Sequence, residues 1–171
     1  SEELKKELKE VPNSEQIIEN IKNIYSSKES VEANAIKDAI QFYSFHGVKY
    51  ELGEEISGDL TVSNNFGGKP FDTKIKYSLD EINSEDGNSI IRMKQVVNSE
   101  QLTNETYNYL KKIGTFGKNI PDRKDFPSLT NETSTASRIH GETGWIIYSI
   151  ETKEIKAEET TNIEERIIEI K

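Results

Sequence analysis

The two histidines, His46 and His140, are the first residues to weigh for chemistry. Imidazole titrates near neutral pH, and a histidine beside a carboxylate can act as a general acid or base. Neither histidine has a second one at metal-ligand spacing. His46 falls at the end of a predicted helix, where imidazole commonly bonds terminal carbonyls, and His140 precedes a turn. Both therefore read as structural. The acidic stretch Asp80-Glu81-Ile82-Asn83-Ser84-Glu85-Asp86-Gly87 invites comparison with a calcium loop. Placing Gly87 at the glycine position of an EF-hand puts Ile82 at its first ligand position and Met93 at its last. Neither can ligate, so the stretch reads as a solvated hairpin tip. Gly67-Gly68 precedes Lys69-Pro70 and no helix, which does not make a phosphate cradle. No serine sits in a Gly-x-Ser-x-Gly elbow. Carboxylates are too numerous for any one pair to single out glycoside hydrolysis. Asn104-Glu105-Thr106 and Asn131-Glu132-Thr133 match the glycosylation sequon, and the first lies inside a predicted helix. No catalytic, cofactor-binding or metal-binding set emerges. The expectation is a protein that is not an enzyme and carries no cofactor.

Composition narrows the class further. The chain has 171 residues, 33% of them hydrophobic, with 31 acidic against 22 basic residues and a formal charge of −9. Ordinary globular chains reach about 45–50% apolar with glycine counted, so the core is thin for the length. Periodic apolar positions nonetheless argue for a folded domain. Arg92, Arg123, Arg138 and Arg166 are scattered, whereas duplex binding needs clustered bases, so nucleic acid is not an expected partner. Cysteine is absent, which removes disulfides and thiolate chemistry. No apolar run approaches the ~18 residues of a membrane span, and no signal peptide is visible. The first residue is Ser1 rather than methionine, which reads as a processed or trimmed start.

Any functional group must be positioned by the elements that periodicity marks. Ile17, Ile18, Ile21, Ile24 and Tyr25 have helical spacing, so 14–25 reads as an amphipathic helix behind the short charged segment 1–10. Val31, Ala35, Ala39, Ile40 and Tyr43 mark one face of another helix ending near Gly47. Between Leu52 and Val97 apolar and polar residues alternate in three runs. Leu52, Ile56, Leu60 and Val62 form the first, Phe71, Ile75, Tyr77 and Leu79 the second, and Ile91, Met93 and Val97 the third. Period two places each apolar set on one face of a strand, and three strands in succession predict an antiparallel meander. Asn98 and Gln101 then form a capping-box-like start. Leu102, Tyr109, Leu110 and Ile113 line one face, Lys111 and Lys112 suit the helix end, and Gly114 closes it. Residues 114–132 read as a long surface loop. From Thr133 the strand pattern returns, with a turn at Gly141-Glu142-Thr143-Gly144. The run Trp145 to Ile150 follows it, and Ile163, Ile167, Ile168 and Ile170 close the chain.

The fold class expected is α+β. It is a curved antiparallel sheet of about six strands in the order β-β-β-α-β-β-β, covered on one face by the helix at 99–113 and preceded by two or three N-terminal helices. Residues 1–47 are expected to form a helical segment, the end of a missing region, and 48–171 the sheet-plus-helix domain.

The stretch Asn64-Asn65-Phe66-Gly67-Gly68-Lys69-Pro70, with the later Thr143-Gly144-Trp145, resembles uncharacterised bacterial envelope proteins that carry an Asn-Pro-Phe-Gly-Gly-x-Pro hairpin. Here Asn65 stands in place of the proline. The order of elements is also similar to lipoprotein-carrier-like half-barrels, a likeness of fold that carries no function by itself. The resemblance implies a periplasmic or cell-envelope location and supplies no catalytic residue. Two functional expectations follow. One is a non-enzymatic binding module that holds an apolar small molecule between sheet and helix, with Phe66, Phe71, Tyr77, Tyr109 and Trp145 as contact residues. The other is a structural or protein-interaction domain of a longer chain, with another protein as partner.

Overall fold

The computed structural model describes Glu32, residues 36–43 and residues 45–170. The helix expected over 14–25 and the charged segment before it lie outside the described residues. In chain order the elements are α1 (Lys37–Tyr43), β1 (Glu55–Val62), β2 (Phe71–Ile82), β3 (Ser89–Val97) and α2 (Ser99–Lys112). A 3-10 turn at Arg123–Asp125 follows, then β4 (Leu129–Ile139), β5 (Ile146–Ala157) and β6 (Thr160–Glu169). The strands form one six-stranded sheet in sequence order, and every neighbouring pair is antiparallel. The sheet is open, with β1 and β6 as its edges.

This corrects the expected fold class. The described protein is mostly sheet with one helix of substantial length, α2, rather than a sheet preceded by several N-terminal helices. Of the helix expected to run to Gly47, α1 keeps seven residues. Ala39 and Tyr43, assigned to its buried face, are exposed. The physical reason lies just beyond Tyr43. The helix stops, and Phe45 in the following turn takes the core position at 3% exposure. Gln41 of α1 is buried, and its Nε2 donates to Ser149 Oγ on β5 at 2.9 Å.

Alternation does form β1, β2 and β3, and their apolar set faces two separate clusters. Phe45, Leu79, Ile91, Met93 and Ile146 make the first, with Tyr50, Ile75 and Tyr77 packed against it. Phe71, Val97 and Leu102 make the second, with Val62, Phe66 and Leu129 around them. The second depends on how α2 is fastened. Asn98 Oδ1 accepts from the Gln101 amide at 3.0 Å, satisfying one orphan N–H of the first turn. The Gln101 side chain then grips Asp72, accepting its backbone N–H and donating to its carboxylate, each at 2.7 Å. On the other side Ser99 Oγ donates to Leu129 O, and Thr103 Oγ1 accepts the Leu129 N–H. The cap therefore ties β2 to β4 through the helix start.

Two expectations about the later chain also change. The loop at 114–132 packs its aromatics onto α2: Tyr107, Phe116 and Phe126 form a ring cluster with centroids 5.5 to 6.0 Å apart. Tyr107 Oη donates to Pro121 O at 2.8 Å. The strand after it begins at Leu129 instead of Thr133. Its sequence, Leu-Thr-Asn-Glu-Thr-Ser-Thr-Ala-Ser, is polar on both parities. Strand structure there comes from ladder bonds to β5 along its whole length and to β3 from Glu132 onward, and small hydroxyls such as Thr135 and Ser137 fit where sheet and cover close together.

The hairpin tips of β2–β3 and β4–β5 meet at Gly87 and Gly141. A Cβ on Gly141 would lie 2.5 Å from the Gly87 carbonyl carbon, and the Gly141 N–H donates to Asn88 Oδ1 at 3.0 Å. Gly141→Ala is expected to lower stability by about 1–3 kcal/mol through overpacking. Gly58→Ala, whose Cβ would meet only Ile75 Cγ2 at 3.8 Å, should be close to neutral. Urea denaturation of both variants checks the contrast.

Candidate functional site

The register fixes which side chains share a face. Across the middle of the sheet, Tyr77, Met93, Thr135, Glu151 and Arg166 lie opposite one another in turn. Because Tyr77 and Met93 belong to the core, this row marks the face that the helices cover. The neighbouring row, one residue out of phase, contains Ser78, Arg92, Ala136, Ile150 and Ile167 and marks the other face.

Followed from β1 to β6, the two faces exchange character. On β2 and β3 the covered face is apolar and the open face is ionic. Lys76 pairs with Glu55 at 2.7 Å, Lys94 with Glu132 at 2.7 Å, Lys74 with Asp59 at 3.5 Å, and Arg92 with Asp80. On β5 and β6 the covered face turns ionic. Glu151 stands opposite Arg166 and Lys153 opposite Glu164, lining a shallow cleft of about 400 Å³. Part of the apolar set there sits on the open face, while Ile146, Ile155 and Ile168 lie on the covered one. Ile150 and Ile167 are direct cross-strand partners, Tyr148 is two residues from Ile150, and Ile163 is four from Ile167. Ile163 and Ile167 are 59% and 57% exposed. Beside them a groove of about 390 Å³ runs over the open face, lined by Lys76, Arg92, Lys94, Ala136, Ile150 and Thr152 among others. A larger groove, about 650 Å³, lies at the far corner between Asp59, Asp72, Lys74, Val96 and Asn98. Its three charged groups are already engaged, Lys74 with Asp59 and Asp72 with Gln101.

The aromatic residues named as contacts do not gather in one place: Phe66 brings together the Phe71 cluster and Tyr109, whereas Tyr77 and Trp145 lie outside that group. Phe71 is buried in the cluster under α2. Phe66 folds back from its loop against the same cluster, its ring centroid 5.1 Å from that of Tyr109. Tyr77 lies in the other cluster, edge-on to Phe45 and Tyr50. Burial raises the Tyr77 phenol above its ordinary value, and burial followed by the neighbouring Tyr77 raises that of Tyr50. Both are neutral packing groups at physiological pH. Trp145 precedes β5 and is 58% exposed, away from all of these. His140 Nδ1 lies 3.0 Å from Thr143 Oγ1 within its own turn, and His46 stacks near Tyr43. Among the described residues no group of three His, Cys, Asp or Glu side chains could hold a metal ion. No described helix is long and apolar enough to cross a membrane.

The apolar residues that share the open face, Tyr148, Ile150, Ile163 and Ile167, were not singled out from the sequence. Their signal is present: Ile163 and Ile167 share one parity, Ile168 and Ile170 the other. Parity alone does not say which set faces the helices.

Asp80 is the extra residue of a bulge between Leu79 and Glu81, which turns its carboxylate toward Arg92. A hydrogen bond from the Ser78 hydroxyl, then one from Arg92 and its charge, hold the Asp80 carboxyl below the ordinary carboxylate range. A depressed native pKa stabilises the fold above the unfolded pKa and is lost as pH falls through the native one. Asp80→Asn should therefore cost under about 1 kcal/mol at neutral pH, since the pair is exposed. The difference between wild type and variant is expected to start shrinking below about pH 4 and to vanish once pH has fallen below the depressed native pKa. Denaturation midpoints measured across pH 2–7 check this. Comparison with known proteins finds no matching family model, no similar curated protein and no similar solved structure.

Proposed function

We propose that this protein is a non-enzymatic interaction domain that takes up an extended segment of a protein partner along its β5–β6 side. The observation that carries the reading is the change of face. Tyr148, Ile150 and Ile167 form an apolar strip on the face left open among the described residues, with Ile163 beyond Glu165 on the same face, beside a strand whose outer edge is unpaired among the described residues. A strand edge offers a row of N–H and C=O groups, and strand addition uses those groups for affinity and alternate side chains for specificity. The strip would meet every second side chain of the added segment.

The alternative, shelter of an apolar molecule between sheet and helix, has less support. Leu102 of α2 packs on Phe71 and Val97 with Val62, Phe66 and Leu129 around them, so the space such a ligand would take is filled by the chain itself. The grooves described above open on the uncovered face or at the β5–β6 edge.

Selection of a displayed library of extended peptides against the protein at low concentration tests the reading. Peptides with alternating apolar residues should be enriched. Their binding should fall about tenfold or more in Ile167→Lys, with an unchanged circular dichroism spectrum. Enrichment no better than for a scrambled library would overturn it.

A further inference from the structure

The backbone of β6 shows which groups its edge offers. The Ile170 N–H donates to Ile147 O at 3.1 Å, continuing the register in which Tyr148 faces Glu169. In an antiparallel ladder alternate residues exchange both bonds with one neighbour, so the even-numbered residues of β6 turn their N–H and C=O toward β5. Thr161, Ile163, Glu165, Ile167 and Glu169 therefore turn theirs outward. The strand has no proline, no lysine and no bulge, three of the devices by which edge strands avoid pairing.

We propose that the segment taken up is β6 of a second copy of this chain, paired antiparallel about a two-fold axis through Glu165. This rests on the interaction-domain reading and names its partner. The side chains select the register. A two-fold axis perpendicular to the sheet keeps each face continuous, and residues of like parity then oppose each other. With Glu165 on the axis, Ile163 faces Ile167 of the second copy, so each Ile150–Ile167 row is continued by an isoleucine of the other copy. On the other face Glu164 meets Arg166 of the second copy. The rows already set within each sheet, Glu151 opposite Arg166 and Lys153 opposite Glu164, then run across the junction with alternating sign. The order becomes Glu151, Arg166, then Glu164 and Lys153 of the second copy. Moving the axis by one residue to Arg166 sets arginine against arginine and Ile163 against Glu169. Moving it to Glu164 sets Ile163 against Glu165. Only the central register pairs isoleucine with isoleucine and acid with base. Its one unfavourable contact is Glu165 against itself, and like charges directly opposite weaken a ladder.

Sedimentation equilibrium on the full chain, from micromolar to millimolar, tests the proposal. Wild type should show a reversible monomer–dimer equilibrium. Glu165→Gln should tighten it by about 2- to 5-fold, because the axial repulsion is removed. Glu165→Pro removes an N–H that points away from β5, which an edge strand tolerates, and should be monomeric throughout with the wild-type melting curve. Ile163→Asp and Ile167→Lys should each be monomeric alone. Mixed in equal amounts they should form a heterodimer, since that register gives one ion pair and one isoleucine pair. The mixing experiment carries the test if the proline variant fails to fold. A wild type that stays monomeric at millimolar concentration overturns the second-copy proposal. So does a dimer that survives Ile163→Asp and Ile167→Lys unchanged. If the protein is monomeric yet binds selected peptides, the interaction-domain reading stands and only the identity of the partner falls. Failure of both experiments removes both.

Discussion

One register runs unbroken through the middle of the sheet, and the rest of the structure depends on it. Four antiparallel pairings in succession carry one row across the sheet, from Tyr77 and Met93 through Thr135 and Glu151 to Arg166. A slip of one residue anywhere would send each side chain to the other face. Two bulges, at Asp80 and at Ile147, adjust the pairing near the hairpin ends without disturbing this middle section. The contact of Gly87 with Gly141 and the bond from Gly141 to Asn88 then hold those two hairpins side by side.

The helix works within that frame. Asn98 caps α2, Gln101 reaches Asp72, and Ser99 with Thr103 holds Leu129. Small polar groups thus fasten a helix whose apolar contribution is modest, with Leu102 its main buried aliphatic residue. Among the described residues of a chain that is 33% hydrophobic, apolar packing covers only part of one sheet face. The thin core has a visible consequence: Phe71, Val97 and Leu102 form one small cluster and Phe45, Leu79, Ile91, Met93 and Ile146 another. Over β5 and β6 the same face carries paired charges instead.

That partial coverage connects fold to proposed function. Had the apolar parity of β5 and β6 matched that of β2 and β3, Ile150, Ile163 and Ile167 would lie toward the helices. They lie on the open side, next to an edge whose outward groups alternate with the charges Glu164 and Arg166. The same strand is therefore apolar on one face and self-complementary in charge on the other. A fully buried strand would have use for neither property.

The sequence by itself determined the local elements whose signals are short in range. Alternation over 52–97 marked three strands, Asn98 and Gln101 marked the start of α2, and Gly141 to Gly144 marked a turn, because side-chain period and capping are properties of neighbouring residues. It misjudged β4 and α1 where tertiary contacts override local pattern. Leu129 to Asn131 is strand because β5 pairs with it and Ser99 and Thr103 of α2 hold Leu129, and Phe45 rather than Tyr43 is buried because the helix ends before it. Only the tertiary structure decided which face each parity serves. Ile163 and Ile167 were legible as one set and Ile168 and Ile170 as the other, yet a strand's two faces are equivalent until the register to a covered neighbour is known. The same holds for the contact candidates. Phe66, Phe71, Tyr77, Tyr109 and Trp145 are alike in type, and it was long-range packing that buried Phe71, half-buried Phe66, Tyr77 and Tyr109, and left Trp145 in solvent.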